Sequence, residues 1–430
     1  CAIITSDPKR TLVVVSAPGK RDRADTKVTD LLIEMARARL TNQDGQAELA
    51  RVVDRYAQII RDLTLTDTAL ESIVADLTAR LAMPTDDEDL YMDIIKASGE
   101  NNSARLVAEY LRHGGVDAHY IDPGEAGMIL SDEPGNARVL QQSFGKLREL
   151  KDRPGITVFP GFFGYSTHGK VVTFPRGGSD ITGAILAAAV DAEVYENFTD
   201  VDSVFVANPA LVDNPVAVDE ITYREMRELS YAGFSVFHDE ALEPVFHAGI
   251  PVVVKNTNNP QAPGTRIVPQ RQVGQRPVVG IAATDGFCSV YISKYLMNRA
   301  IGFGRRLLAI FEDEGIPFEH TPSGIDNMSV IVREAYFNHA TEERVLRRVR
   351  AELDVDELSV ERGLALVMIV GEGMHHTIGL AARACVAFSR SAVNLEMINQ
   401  GSSEVSMMFG IKAGDIPAAV QALYEEFFRS

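Results

Sequence analysis

Residues 174–180 read Phe-Pro-Arg-Gly-Gly-Ser-Asp and lead directly into the apolar residues 181–190. Two adjacent glycines let backbone N–H groups approach an anion closely, and a helix that begins at Ser179 or Asp180 directs its positive N-terminal end to the same point. Arg176 adds a planar cation that can bind a carboxylate or a phosphate through two hydrogen bonds. We therefore expect a site where an amino acid meets a nucleotide.

The sequence around this loop alternates between strand and helix patterns. Apolar strand patterns lie at residues 11–16, 118–121, 156–159, 203–206 and 251–255, and helical patterns lie at residues 31–40 and 103–112. Alternation of this kind predicts an α/β architecture, in which helices cover both faces of a mostly parallel sheet.

A polar, turn-rich segment from residue 255 to residue 277 predicts a linker, which we place at residues 269–277. Beyond it, a pattern of helix, strand, turn and strand occurs twice, about 77 residues apart. The predicted strands are 316–320, 328–332, 393–397 and 405–411, and the helix stripes are Phe303, Leu307, Ile310 and Phe311, then Ile378, Ala381, Cys385 and Phe388. The repeat looks like two ACT modules, which are small α+β units of βαββαβ order.

The composition limits the classes of function. The chain has 430 residues, of which 46% are hydrophobic and 24% charged, and this is typical of a globular protein. Its net charge of -18 argues against binding to nucleic acid or to an anionic membrane. Three widely spaced cysteines predict neither a disulfide framework nor a zinc site, and no signal peptide is visible. We expect a cytoplasmic protein.

Four segments occur in the order and spacing of the aspartate kinases. They are Ser16-Ala17-Pro18-Gly19, Gly161-Phe162, residues 176–180 and Thr199-Asp200. The chain resembles that family nearly from end to end. The resemblance implies a three-layer αβα amino-acid kinase fold at residues 1–268, the linker at 269–277, a first ACT region at 278–345 and a second at 346–430. It also implies transfer of the γ-phosphoryl group of ATP to the side-chain carboxylate of L-aspartate, the first step towards lysine, methionine and threonine.

This chemistry explains the residue types in the loop. An aspartate carboxylate is already a charged nucleophile at neutral pH, so the reaction needs no general base. Its obstacle is the repulsion between that carboxylate and the triphosphate. Catalysis therefore depends on positioning and on cations and N–H groups around the phosphoryl group.

The resemblance assigns roles to individual residues. On the substrate side, it implies that Glu100 and Asp180 meet the α-ammonium group and that Arg176 clamps a carboxylate, with Arg176 and Asp180 as the catalytic pair. The other substrate contacts that it implies are Thr29, Phe162 and Ser179. For ATP, carried with Mg²⁺, it implies contacts from Ser16, Ala17, Gly177, Gly178, Thr199, Asp200, Phe205 and Lys255. No protein residues with metal-ligand spacing are predicted.

The chain also departs from the family pattern. The family's Lys-Phe-Gly-Gly-Thr-Ser signature, whose lysine bridges substrate and γ-phosphate, belongs upstream of Cys1 and does not occur in the sequence. Relatives carry Tyr, Asp and Arg where this chain has Phe205, Asn208 and Ala210, and a lysine where it has Ser235. Lys255, near the expected nucleotide, is a candidate for replacing the lost charge.

The ACT repeat implies regulation. The resemblance predicts a homodimer formed through the ACT regions and feedback inhibition by an amino acid, with lysine expected. The predicted effector residues are Met297, Gly302, Glu319, Asp326 and Asn327. Two alternatives stay open at this point: a related kinase that acts on glutamate, and an amino-acid sensor without catalytic activity.

Overall fold

The computed structural model describes residues 1–22, 24–234, 239–272, 274, 276–401 and 405–429. The chain forms two compact units, one of Cys1–Asp202 with Val236–Pro269 and one of Ser203–Ser235 with Gln270–Ser430. Residues 203–235 thus cluster with the C-terminal half. The sequence boundaries given above for the catalytic and ACT regions stay predictions. Ser235, where relatives carry a lysine, lies outside the described residues.

The strands, in chain order, are β1 (Leu12–Val15), β2 (Ala118–Tyr120), β3 (Ile129–Leu130), β4 (Ile156–Pro160), β5 (Phe163–Ser166), β6 (Val171–Thr173), β7 (Tyr195–Thr199), β8 (Glu220–Thr222), β9 (Val252–Asn256), β10 (Thr265–Val268), β11 (Gly280–Ser293), β12 (Phe318–His320), β13 (Asn327–Arg333), β14 (Glu357–Val370), β15 (Met397–Asn399) and β16 (Ser406–Lys412). The helices are α1 (Ala2–Thr5), α2 (Val28–Leu40), α3 (Gln46–Asp62), α4 (Asp67–Leu81), α5 (Glu88–His113), α6 (Pro123–Ala126), α7 (Ser143–Leu147), α8 (Gly178–Val190), α9 (Tyr223–Tyr231), α10 (Glu243–Ala248), α11 (Phe303–Asp313), α12 (His339–Leu353), α13 (Leu380–Arg390) and α14 (Ile416–Tyr424). Shorter 3₁₀ turns are Arg148–Asp152, Asp239–Leu242, Met297–Arg299, Glu334–Tyr336, Glu372–His376 and Ala413–Asp415, and a π-helical turn covers Glu425–Arg429.

Strand pairing in the first unit is mostly parallel, as the sequence predicts. Strand β4 pairs in parallel with β1 on one side and with β2 on the other. The pairs β3–β5 and β7–β9 are also parallel, whereas β5–β6 and β9–β10 are antiparallel. The strands predicted at 11–16, 118–121, 156–159 and 251–255 are confirmed as β1, β2, β4 and β9.

The strand predicted at residues 203–206 is wrong. Its apolar residues Val204 and Val206 are buried, which explains the pattern. However, Phe205 forms only an isolated antiparallel bridge with Ala217 and joins no sheet. Burial of alternate side chains in a folded loop therefore produced a strand-like signal here.

Helix α5 organises the first unit. Its N-terminal half packs with α2, α3 and α4 around a core that includes Leu32, Tyr56 and Ile95. Its C-terminal half packs Ala108 against Ala118 and Val158 of the parallel sheet. Between the two cores, residues 98–103 are buried although most are polar. Buried polar groups at the middle of a helix need partners, so this stretch is a natural place for a binding site.

The second unit contains one six-stranded sheet of order β12-β13-β11-β14-β16-β15. The segments α11-β12-β13 and α13-β15-β16 repeat the same order, which confirms the predicted duplication. In α11 the predicted stripe is buried as expected.

Two details of the second repeat are wrong in the prediction. Gly379, in the left-handed conformation, precedes the first residue of α13, so Ile378 lies outside the helix and is fully exposed. The buried face of α13 is instead formed by Leu380, Ala384, Ala387 and Phe388. The strand predicted at 393–397 lies at Met397–Asn399.

In the described part of the chain, no helix is both long and apolar enough to cross a membrane.

Candidate active site

The loop after β1 packs against the middle of α5. A Cβ atom on Gly99 would stand 2.9 Å from the Cβ of Ala17, so only glycine permits this approach. The backbone N–H of Ala17 favours the ionised form of Glu100 and so lowers the pKa of this carboxyl group. The Pro18 carbonyl accepts from the Val28 N–H at 3.2 Å, which fixes the start of α2. Thr29, in the first turn of α2, is half-buried and follows this contact directly.

Glu100 has the most unusual environment of the predicted site residues. Its side chain is 6% exposed, and its Oε2 atom has no hydrogen-bond partner among the described residues. Burial raises the pKa of Glu100 to about 7, although the Ala17 N–H and the charge of Lys96 act in the opposite direction. A buried carboxylate oxygen without a donor is costly, and an ammonium ligand would satisfy it.

The glycine loop begins α8 one or two residues earlier than predicted. Gly177 has φ +76° and occupies the N-cap, so the helix starts at Gly178 rather than at Ser179 or Asp180. The left-handed conformation of Gly177 makes this possible. Arg176 is exposed, and no ion pair of its guanidinium occurs in the described part of the chain. The helix N-terminus and this arginine are thus available to an anion.

The end of β4 meets the start of α8. A Cβ on Gly161 would stand 2.5 Å from the Oγ of Ser179, and a Cβ on Gly178 would stand 2.5 Å from Cδ2 of Phe162. Phe162 itself has φ +74°, which is uncommon outside glycine, and its N–H donates to Thr182 Oγ1 at 3.0 Å. The Gly161 N–H also binds the Val15 carbonyl at 3.0 Å. The end of β1, residues 161–162 and the start of α8 therefore come together, and they bring Phe162 next to Ser179.

Asp180 already has a partner from the sheet. Its Oδ1 accepts a hydrogen bond from Asn197 Nδ2 at 2.8 Å, and its carbonyl accepts from the Tyr195 hydroxyl at 3.3 Å. Both partners lie on β7, which ends at Thr199. Sequence reasoning did not single out Asn197, because a lone asparagine in a strand carries no signal of such a contact.

Three of the predicted nucleotide residues, Thr199, Asp200 and Lys255, lie at one sheet edge. Strands β7 and β9 are parallel, with Phe198 opposite Lys255 and Thr199 opposite Asn256. Thr199, the last residue of β7, donates to Asp200 Oδ1 at 3.3 Å, so both residues lie at the carboxyl end of this strand. Ligands of open α/β sheets bind at such ends. Phe205 belongs to the second unit and is described with it.

In the second unit, four of the five predicted effector residues lie close together. The Asn298 N–H, next to Met297, donates to Ile325 O at 3.2 Å, and Asp326 and Asn327 follow Ile325 in the chain. Gly302, with φ +75°, is the N-cap of α11. Asp326 Oδ1 is buried and has no hydrogen-bond partner among the described residues.

Glu319 lies apart from these four residues. It sits on β12 beside Val332 and Ile331, toward the other end of β13 from Asn327. A displacement of four to five strand residues corresponds to roughly 15 Å. Its Oε1 atom accepts from Arg333 Nε at 2.9 Å, and its Oε2 atom accepts from the Tyr231 hydroxyl.

Comparison with known proteins identifies the family of the chain. The amino acid kinase family matches residues 2–256, and the ACT domain family matches residues 367–427. The chain is 56% identical to Aspartokinase 3 of Bacillus subtilis over 426 residues, which covers 99% of this chain and 94% of that protein.

Two solved structures are similar over nearly the whole chain. The crystal structure of Clostridium acetobutylicum aspartate kinase matches with a TM-score of 0.86 and 34% identity, covering 99% of this chain and 95% of the other. E. coli aspartokinase III in complex with lysine and aspartate matches with a TM-score of 0.72 and 25% identity, at the same coverages of 99% and 95%. The chain therefore belongs to the aspartokinases, kinases of the amino acid kinase family that carry ACT domains.

Proposed function

We propose that this chain binds L-aspartate between Glu100 and the glycine loop and transfers the γ-phosphoryl group of ATP to the substrate's side-chain carboxylate, giving 4-phospho-L-aspartate. The observation that carries the proposal is the open, buried Oε2 atom of Glu100. An amino-acid substrate brings an ammonium group that this oxygen can accept, in a site otherwise built for anions.

The substrate roles follow from the chemistry of each side chain. Arg176 binds a carboxylate of aspartate, and Ser179 and Thr29 supply hydroxyl groups. Asp180, whose Oδ1 accepts from Asn197, adds a second carboxylate on the ammonium side of the substrate. The ring of Phe162 closes one side of the pocket.

ATP is the co-substrate, and it enters as its magnesium complex, because Mg²⁺ is held chiefly by phosphate oxygens and water. The left-handed Gly177 and the N-terminus of α8 that follows it fit a backbone cradle for phosphate. Ser16, Ala17, Gly177 and Gly178 line this cradle. Thr199, Asp200 and Lys255 contact the nucleotide.

The ACT unit supplies feedback control, with lysine as the effector. E. coli aspartokinase III has been crystallised with lysine, and this similarity supports the choice. The open Oδ1 of Asp326 offers a buried acceptor for an ammonium group. Met297, Gly302 and Asn327 complete the site. The enzyme works as a cytoplasmic homodimer that pairs through its ACT regions.

The direct test is aspartate-dependent acyl-hydroxamate formation by the complete enzyme with magnesium-ATP and hydroxylamine. Aspartyl phosphate reacts with hydroxylamine, so product is expected with aspartate and not with glutamate as control substrate. Product with glutamate instead would indicate a related kinase. No product from folded protein would favour a sensor without catalytic activity.

A further inference from the structure

A lysine that no motif points to lies inside the proposed aspartate site. Lys96 precedes Glu100 by four residues on α5, so the two side chains project from the same face of the helix. The Lys96 side chain is only 17% exposed, whereas most lysines remain in solvent.

The ammonium group of Lys96 is held in a fixed position. It pairs with Asp93 Oδ1 at 2.8 Å and donates to Thr173 Oγ1 at 3.4 Å. Asp93 is itself almost fully buried and accepts from the Thr173 N–H at 2.7 Å, the Thr173 hydroxyl at 2.8 Å and the Gly135 N–H at 2.8 Å. A carboxylate with this many donors cannot move freely, and neither can its partner.

The same ammonium lies over the ring of Phe162, at 5.6 Å from the ring centroid. This distance is within the range of a cation–π contact. The ring also touches Gly178, where an added Cβ would stand only 2.5 Å from Cδ2. Phe162 is thus held between a fixed cation and the start of α8, in a backbone conformation that needs support.

We propose that Lys96 is a positioning residue for the aspartate substrate, which holds the Phe162 ring against Gly178 and places a positive charge one helical turn from Glu100. The inference rests on the proposed function, since it assumes that aspartate binds at Glu100 and Phe162. The charge of Lys96 also opposes the effect of burial on the pKa of Glu100 and so favours the ionised carboxylate that an ammonium ligand requires.

Steady-state kinetics of Lys96→Met in the complete enzyme test the proposal. Methionine keeps the bulk of the side chain and removes its charge. We expect the KM for aspartate to rise by about tenfold or more, while the KM for ATP changes by less than about twofold. Discrimination between aspartate and glutamate should fall, because the ring of Phe162 loses its anchor. Lys96→Arg should restore most of the aspartate KM, since arginine retains the charge and the cation–π contact.

Lys151→Met, which removes an exposed lysine, is the matched control and should leave both KM values unchanged. A wild-type enzyme without hydroxamate activity would overturn the proposed function itself. With an active wild type, an unchanged aspartate KM in Lys96→Met, or an equal rise in both KM values, would overturn this inference.

Lys96→Met leaves the buried Asp93 carboxylate without its countercharge, and this loss can prevent folding. In that case the double variant Asp93→Asn/Lys96→Met removes both charges. It should also raise the KM for aspartate while leaving the KM for ATP nearly unchanged. Phe162→Leu leaves the ion pair between Lys96 and Asp93 intact and should likewise raise the KM for aspartate but not the KM for ATP. An aspartate KM at the wild-type level in the folded variants would contradict the proposal.

Discussion

Glu100 in the first unit and Glu319 in the second are both glutamates that the family resemblance assigns to an amino-acid ligand, yet their surroundings differ. Oε2 of Glu100 is buried without a donor among the described residues. Both oxygens of Glu319 are occupied, one by Arg333 Nε at 2.9 Å and the other by the Tyr231 hydroxyl. The catalytic unit thus keeps an acceptor open, whereas this acceptor in the ACT unit is already satisfied.

The comparison shows that charge type alone is a poor guide to an ammonium site. Burial raises the pKa of Tyr231, so its hydroxyl stays protonated and donates to Glu319. A ligand at Glu319 would have to displace Tyr231 or Arg333. In the ACT unit the buried open oxygen belongs to Asp326, which makes Asp326 the counterpart of Glu100.

The largest expected effect comes from Glu100→Gln. The variant should lower kcat/KM for aspartate by about a hundredfold or more, because truncating one partner of a buried charged pair costs about 2–5 kcal/mol. Stability should not fall at pH 8. The folded-state pKa of Glu100, about 7, lies above the ordinary glutamate value of 4.5, so ionisation of Glu100 costs stability progressively between pH 4.5 and pH 7 and fully above pH 7.

Kinetics and thermal unfolding of Glu100→Gln measure both effects. Glu109→Gln, on the same helix, is the matched control, since Glu109 accepts an exposed hydrogen bond from Thr66 at 3.4 Å. Wild-type kcat/KM in Glu100→Gln would remove Glu100 from the aspartate site.

Gly178→Ala should have the next largest effect. The added methyl group would stand 2.5 Å from Cδ2 of Phe162, so the ring has to move away from α8. We expect kcat/KM for aspartate to fall by about tenfold or more, with destabilisation of about 1–3 kcal/mol. Gly145→Ala, in α7, has open space around its Cβ and should be neutral or stabilising. Equal behaviour of the two variants in kinetics would contradict the close contact at Gly178.

The pH dependence of the KM for aspartate tests whether Glu100 is the acceptor for the substrate ammonium group. Protonation of Glu100 removes the acceptor for the substrate ammonium. Since burial raises its pKa to about 7, the aspartate KM should be flat above pH 7 and rise by up to about tenfold per pH unit below it. The KM for ATP should not show this inflection. An aspartate KM that stays constant between pH 5 and pH 8 would argue against a titrating group at the ammonium site.

The smallest effect is expected in the ACT unit. Asp326→Asn should raise the lysine concentration for half-inhibition by about tenfold, because a hydrogen bond to a charged group is worth about 1.5–3 kcal/mol. Glu319→Gln should change this concentration by less than about threefold, since its oxygens bind internal partners. Inhibition assays on both variants measure the difference. A larger change in this concentration for Glu319→Gln than for Asp326→Asn would make Glu319 the effector ligand and would contradict the pairing of Asp326 with Glu100.

The fold was predictable from the sequence where the spacing of apolar residues matches the buried face of a helix or strand. Four of the five strands predicted for the N-terminal half are present, and the repeat of the C-terminal half is confirmed. The predictions failed where the pattern of apolar residues does not coincide with a regular helix or strand. Residues 203–206 are buried in a loop, and Gly379 fixes the first turn of α13 so that Ile378 falls outside it.

The site was only partly predictable for a related reason. The glycine loop carries a local signal, so its residues could be found from sequence alone. Lys96 and Asn197 act through contacts with residues 77 and 17 positions away, Thr173 and Asp180, and no local pattern reports such contacts. The spacing of Lys96 and Glu100 was visible, but such pairs on helices are usually solvated.

Equilibrium titration of L-aspartate and of L-lysine into Glu100→Gln and Asp326→Asn tests the central claim most directly. We expect each variant to weaken the binding of one ligand only. Glu100→Gln should weaken aspartate binding and leave lysine binding unchanged, whereas Asp326→Asn should weaken lysine binding and leave aspartate binding unchanged. Loss of both ligands in either variant, or of neither, would contradict the assignment of one open buried carboxylate to each ligand.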